Sequence, residues 1–183
     1  MAATRTNEAG TGMTLLMGAA AGEVAVWALD RADWFMWNRI DEKTRERTRS
    51  VRPGGEPPAH VLASVAERAA GLDLSERQHK LGGDLIHYSI GVAPAAAYAL
   101  FRDKLPVAGP ARGALYGLGM FLLQDEGLNS VSGLGAKPTD YPWQDHARGL
   151  IAHVVYGVTT ELVLNALETV VAGTLDEGSA TET

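Results

Sequence analysis

Histidine, carboxylate and tyrosine side chains recur at helical spacing along this chain, and these are the side chains that hold and move protons. The clearest run lies between Asp145 and Gly173. Helical spacing there puts His153, Tyr156, Gly157, Thr160, Glu161, Leu164 and Glu168 on one face. The rest of the segment is Leu, Ile, Val and Ala. A surface helix in water carries Lys, Glu and Arg opposite a narrower apolar stripe. Here the polar stripe is the thin one, the pattern of a helix that turns its polar line inward and its apolar flanks toward lipid or other helices. A second stripe combines Asp84, His87, Tyr88, Gly91 and Tyr98, a third segment contributes Tyr116 and ends at Glu126, and an early segment carries Glu23, Trp27 and Asp30 on one side. The candidate site is therefore an interior seam of Glu23, Asp30, His87, His153 and Glu161, flanked by Asp84, Tyr88, Tyr98, Tyr116, Glu126 and Tyr156.

Three kinds of chemistry fit such a seam. Buried carboxylates and imidazoles are costly unless paired, so mutual pairs such as His153 with Glu23 or His87 with Glu161 are expected to act as interhelical glue. The same groups suit a proton-linked conduit or sensor, because His titrates near neutral pH and burial moves carboxylates upward. A metal site is the third. Asp84-Leu-Ile-His87 has the carboxylate-His spacing of di-metal bundles, but such sites need a second copy and further glutamates, and no second copy is present. No metal or cofactor is assigned. Nucleophilic catalysis lacks a Gly-x-Ser-x-Gly turn and any cysteine. Gly133-Leu-Gly135-Ala-Lys137 has the wrong spacing for a phosphate loop.

These residues need long helices to position them. The pattern predicts a first helix over about Gly12 to Trp37, with Gly18 and Gly22 as a small-xxx-small pair and Trp34, Phe35 and Trp37 at its end. A basic linker follows, carrying Arg39, Lys43, Arg45, Arg47, Arg49 and Arg52 and stopped by Pro53 to Pro58. Pro58 opens a short amphipathic helix that stops at Gly71. Asp73-Leu-Ser-Glu76 reads as a capping box for the next helix, which is apolar from Leu81 to Phe101 and carries Pro94. A third long helix covers Gly109 to Asp125, a sixteen-residue Gly- and Pro-rich loop spans 127–142, and the fourth long helix follows. The expected fold is all-α: a transmembrane four-helix bundle with a short amphipathic helix between helices 1 and 2. It forms one domain over 1–173, with disorder expected at 1–10 and in the acidic tail 174–183.

At 183 residues, 46% hydrophobic and 21% charged, the composition is near the soluble average. The mean hydropathy of -0.04 keeps a soluble helical bundle binding a small ligand or protein partner as the alternative. A net charge of -6 argues against nucleic acid. The expected partners are the lipid bilayer, anionic headgroups at Arg39–Arg52, and a second copy in a homo-oligomer. By the positive-inside rule the Arg39–Arg52 segment lies in the cytoplasm and both termini outside.

GAAAGEVAVWALDRADWFMWNR near the start and YPWQDHARGLIAHVVYGVTTELV near the end resemble the YagU family of small bacterial inner-membrane proteins. The resemblance covers an early Gly/Ala-rich helix with an acidic residue, a basic proline-bearing segment, and a last helix entered from a proline-aromatic loop. Glu23, His153 and Glu161 occupy the family's acidic, His and Glu places. The family has no established activity, so the resemblance implies a multi-pass location in the bacterial inner membrane more than a task. The chain also echoes itself: His87-x-x-x-Gly91 and His153-x-x-x-Gly157 each set a His one turn before a glycine.

Overall fold

The computed structural model describes the backbone of residues 2–180 and the side chains of residues 10–173. The disorder expected at 1–10 and 174–183 falls, apart from Gly10, outside the residues whose side chains are described. Among the described residues the chain is helical without strands. Its helices are α1 (Ala2–Trp37), α2 (Glu42–Val51), α3 (Pro58–Ala70), α4 (Glu76–Phe101), α5 (Gly109–Met120), α6 (Asn129–Val131) and α7 (Trp143–Ala180), and a π-helical segment (Phe121–Leu128) joins α5 to α6. Two helices, over Gly10–Trp37 and Trp143–Gly173, are long and apolar enough to cross a membrane by length and composition.

Several boundaries differ from the sequence pattern. Residues 42–51 are helical rather than a linker, because Asp41 caps them by accepting from the Thr44 amide at 3.0 Å. The capping box of α4 is Ser75 with Gln78, two residues later than Asp73 with Glu76. Gly127 does not end the third long helix. The backbone passes through it in π geometry and stays helical to Val131, shortening the loop.

Packing follows from small residues. α1 lies between α4 and α7, α5 packs on α7, and α3 packs on α4. Gly18 and Gly22 sit where α1 meets α4: a Cβ on Gly22 would lie 2.7 Å from the Ala95 Cβ, and one on Gly18 2.7 Å from the Ala96 Cα. Gly113, Gly117 and Gly157 bring α5 and α7 into backbone contact. The core accordingly holds Ala21, Ala25, Ala95 and Ala99 with a few larger side chains, chiefly Tyr98, Tyr156 and Leu164. Large apolar side chains point outward instead. Leu16, Trp27, Trp34, Phe35, Leu85, Leu122, Leu123, Ile151, Leu162 and Val170 are all exposed.

This arrangement makes the α5–α7 crossing sensitive to single atoms. A Cβ on Gly113 would lie 2.5 Å from the Gly157 carbonyl oxygen, whereas one on Gly119 would meet nothing within 4 Å. Gly113→Ala is expected to destabilise by about 1–3 kcal/mol. Gly119→Ala is expected to be neutral or slightly stabilising, since Ala is the better helix former. Denaturant unfolding in detergent micelles compares the two.

Candidate functional site

At the end of the bundle that carries α2, the four long helices part around an open cavity of about 420 Å³. Its walls carry Asp30 and Asp33 from α1, Asp84 and His87 from α4, Asp125 and Glu126 from the π segment, Asp145, His146, Arg148 and His153 from α7, His60 from α3, and Arg52. The π geometry matters here. Phe121, Gln124, Asp125 and Glu126 of this segment all line one wall, and π turns occur frequently at functional sites.

All five histidines of the chain lie at this end, and each meets a carboxylate. His87 Nε2 is 2.8 Å from Asp30, His146 Nδ1 is 2.6 Å from Glu126, and His60 and His153 stand 3.6 Å from Asp84 and Asp125. His79, just outside the cavity, is held by Glu67 at 2.7 Å and Glu56 at 3.3 Å. Two of these rings have acceptors on both nitrogens. His146 meets the Pro138 carbonyl at 3.0 Å through Nε2 as well as Glu126 through Nδ1. A carbonyl only accepts, so Nε2 carries a proton, and the Nδ1 contact with Glu126 requires one more proton on the pair. His79 lies between two carboxylates and has the same requirement.

Arg148 clamps the mouth. It donates to Asp33 through Nη1, to Asp145 at 3.0 Å through Nη2, and stacks over Trp37 at 5.0 Å. Asp145 in turn accepts from Thr48 of α2 at 2.6 Å, and the Thr48 side chain is completely buried.

Deeper in, Pro94 shapes the wall. Having no N–H, it leaves the Ile90 carbonyl without its helical donor, and Gln124 donates to that carbonyl at 3.4 Å. The neighbouring Gly91 carbonyl accepts from Tyr156 at 2.7 Å, and the Tyr116 hydroxyl lies 2.9 Å from that of Tyr156. Since Tyr156 spends its proton on Gly91, Tyr116 is the donor between the two. Tyr116 stacks on Tyr98 with centroids 4.0 Å apart.

Beyond the tyrosines lies a second polar cluster at the far end. Glu161, fully buried, accepts from Tyr98 at 2.7 Å and from Arg112 at 3.0 and 2.7 Å, and Arg102 approaches it at 3.2 Å. Both guanidinium groups lie against Oε1, and Tyr98 donates to Oε2. Arg102 also binds Glu168 and Asn165, and Arg112 binds Asp103 at 2.7 Å.

The expected single seam is thus two clusters. Asp30, His87 and His153, with Asp84, Glu126 and Tyr156, line the cavity. Glu161 and Tyr98 belong to the far cluster, and Tyr116 lies between. The expected pairs do not form: His153 faces Asp125 rather than Glu23, and His87 faces Asp30 rather than Glu161, because Glu161 sits at the opposite end of the bundle. Glu23 is exposed on the outer face of α1, beside Val24, Trp27 and Tyr88. The sequence pattern passed over Asp33, His60, Asp125, His146, Arg148, Arg102 and Arg112 as site residues. Six of these seven lie within about one turn of a helix end, where a charge reads as an ordinary terminal residue; adjacent Asp125-Glu126 was the available signal. Both His-x-x-x-Gly glycines do lie at close contacts, Gly91 against Val26 and Gly157 against Gly113.

No protein-family model, curated protein or solved structure matches this chain.

Two outcomes follow from these contacts. Glu67 and Glu56 raise His79 above the ordinary imidazole range. The folded state therefore holds that proton more tightly than the unfolded chain does. The contact supports α3 on α4 fully below about pH 6.5 and loses that contribution as pH rises through the raised value. Tryptic cleavage at Arg68 and Arg77, measured against the unfolded chain at each pH, is expected to quicken from about pH 6 to about pH 8, and His79→Gln to remove the difference. In the far cluster, Glu161→Gln leaves two buried guanidinium groups with only their outer carboxylates, Glu168 and Asp103, and is expected to cost about 3 kcal/mol, the low end for breaking a buried pair. Tyr98→Phe removes one hydrogen bond to a charged group and is expected to cost less, about 1.5–3 kcal/mol. Unfolding titrations in mixed micelles give both values.

Proposed function

We propose that the chain is a small polytopic membrane protein whose α2-end cavity is a pH-responsive element. Its four spans are α1, residues 81–101 of α4, the continuous α5–π–α6 helix, and α7. The support for a membrane is the inverted packing: small residues and charges inside, large apolar side chains outside, as expected where lipid rather than water is the solvent. α4, at 26 residues, is about 39 Å long, enough to span a hydrocarbon core of about 30 Å. Trp34, Phe35 and Trp37 with the α2 arginines mark one boundary, with Arg39 over Phe35 and Arg49 and Arg52 over Trp37. That boundary faces the cytoplasm by the positive-inside rule, and anionic headgroups are the partner its arginines suit. The bacterial inner membrane is the location implied by the YagU resemblance.

The observation that carries the pH response is that all five histidines sit on carboxylates at one end. Six cavity carboxylates (Asp30, Asp33, Asp84, Asp125, Glu126, Asp145) against Arg52 and Arg148 give a formal charge of -4 with the four lining histidines neutral, and zero with all four protonated. Histidine changes charge between about pH 5 and 8. A sensor fits better than a proton conduit. Tyr156 delivers its proton to a backbone carbonyl that has none to pass on, and Glu161 is held by three hydrogen bonds and a second guanidinium. The Glu161 cluster is therefore read as structural.

His146 is the group to follow. It bridges Glu126 of the π segment and Pro138 of the loop. Asp125, Asp145, Arg148 and His153 share the cavity with it. Sedimentation after detergent-free lysis tests the location, and finding the protein in the supernatant would remove the membrane reading. For the pH response, amide exchange over residues 133–141 in proteoliposomes, corrected for its intrinsic rate, is expected to accelerate several-fold from about pH 6 to about pH 8 as the cavity's formal charge falls toward -4. His146→Gln should exchange fast at both. Protection in the parent chain that does not depend on pH would sink the sensor.

A further inference from the structure

Glu23 is a carboxylate in the wrong place for a monomer in a bilayer. It precedes Trp34 by eleven residues, about 16 Å along α1, so it lies near the middle of a hydrocarbon core of about 30 Å. It is exposed on the outer face of the helix and has no hydrogen-bond or ion-pair partner among the described residues. An unpaired carboxyl group facing lipid at that depth is strongly disfavoured. The surface around it is a shallow groove between α1 and α4, formed by Glu23, Val24, Trp27 and Tyr88. Tyr88 and Trp27 likewise have no hydrogen-bond partner among the described residues for their hydroxyl and indole N–H, and Trp27 is 56% exposed.

We infer that this groove is the contact between two copies of the chain, related by a twofold axis. The inference rests on the membrane reading above. The groove is self-complementary, carrying one acceptor-rich group, Glu23, and two donors, Tyr88 and Trp27. A twofold axis brings the Glu23 carboxyl group of each copy to the donors of the other, so both sets are satisfied by one operation. Ala20, one turn before Glu23 on the same exposed face, is small enough for the two α1 helices to approach. A lipid headgroup does not reach this depth. An unrelated helix would need its own matching donors, whereas a second copy supplies them.

The cysteine-free sequence makes the test clean, because between copies of this chain a single introduced thiol pairs only with its own counterpart. Ala20→Cys in native membranes under mild oxidation is expected to give a band at twice the chain mass. Leu118→Cys, on the outer face of α5 away from the groove, is expected to give at least tenfold less of it. Adding Glu23→Leu to Ala20→Cys should reduce the band about tenfold. Glu23→Gln, which keeps an acceptor oxygen, should retain it. Equal cross-linking at positions 20 and 118, a product at any other mass, or a band unaffected by Glu23→Leu would each overturn the proposal. Failure of the chain to sediment with membranes would instead overturn the reading beneath it.

Discussion

Backbone-to-backbone contact between helices is the constraint from which the remaining arrangement follows. Where α5 meets α7, glycine faces glycine, and where α1 meets α4, glycine faces alanine. Such contacts leave no room for the large side chains that fill an ordinary core, so those side chains go outward. With little bulk inside, the bundle cannot be held by interior apolar mass alone. Directed polar contacts take up that role: Glu161 with two arginines at one end, Arg148 with two aspartates at the other.

The two polar ends are built on opposite principles. Around Glu161 the carboxylate is fully buried and held by two arginines and a tyrosine. Around the cavity, acidic groups exceed arginines, the walls are open, and histidines supply a charge that varies. One end is fixed and the other is left adjustable, with stacked tyrosines between them. The π segment belongs to the adjustable end, in keeping with the frequency of such segments at functional sites.

The helices themselves were legible, because apolar runs, prolines and a left-handed glycine cap mark their limits directly. Pro58 and Gly71 bound α3 as expected, Gly71 with a φ of 65°. The stripe on α7 was also legible, and His153, Tyr156 and Glu161 are all buried. Pairing was not. Spacing along one helix says which side chains share a face but not at which height another helix meets it, so His87 was matched to a glutamate at the wrong end. Glu23 misled for a related reason. A lone acid in an apolar helix suggests an inward stripe, but the glycines at 18 and 22 own the inward face and rotate Glu23 out. The π turn was invisible because a 3.6-residue period is assumed in any reading of faces, and Gly127 imitates a stop.

The charged locks also impose an order on how the chain can be made. Asp33 waits for Arg148, Thr48 for Asp145, Arg102 for Glu168, and Arg112 for Glu161, partners separated by 115, 97, 66 and 49 residues. Every one of those partners is on α7, which leaves the ribosome after the other described helices. Until it arrives, Asp33 has no cation beside it, and Arg102 and Arg112 lack the carboxylates that α7 brings. Its entry joins both ends of the bundle in a single step.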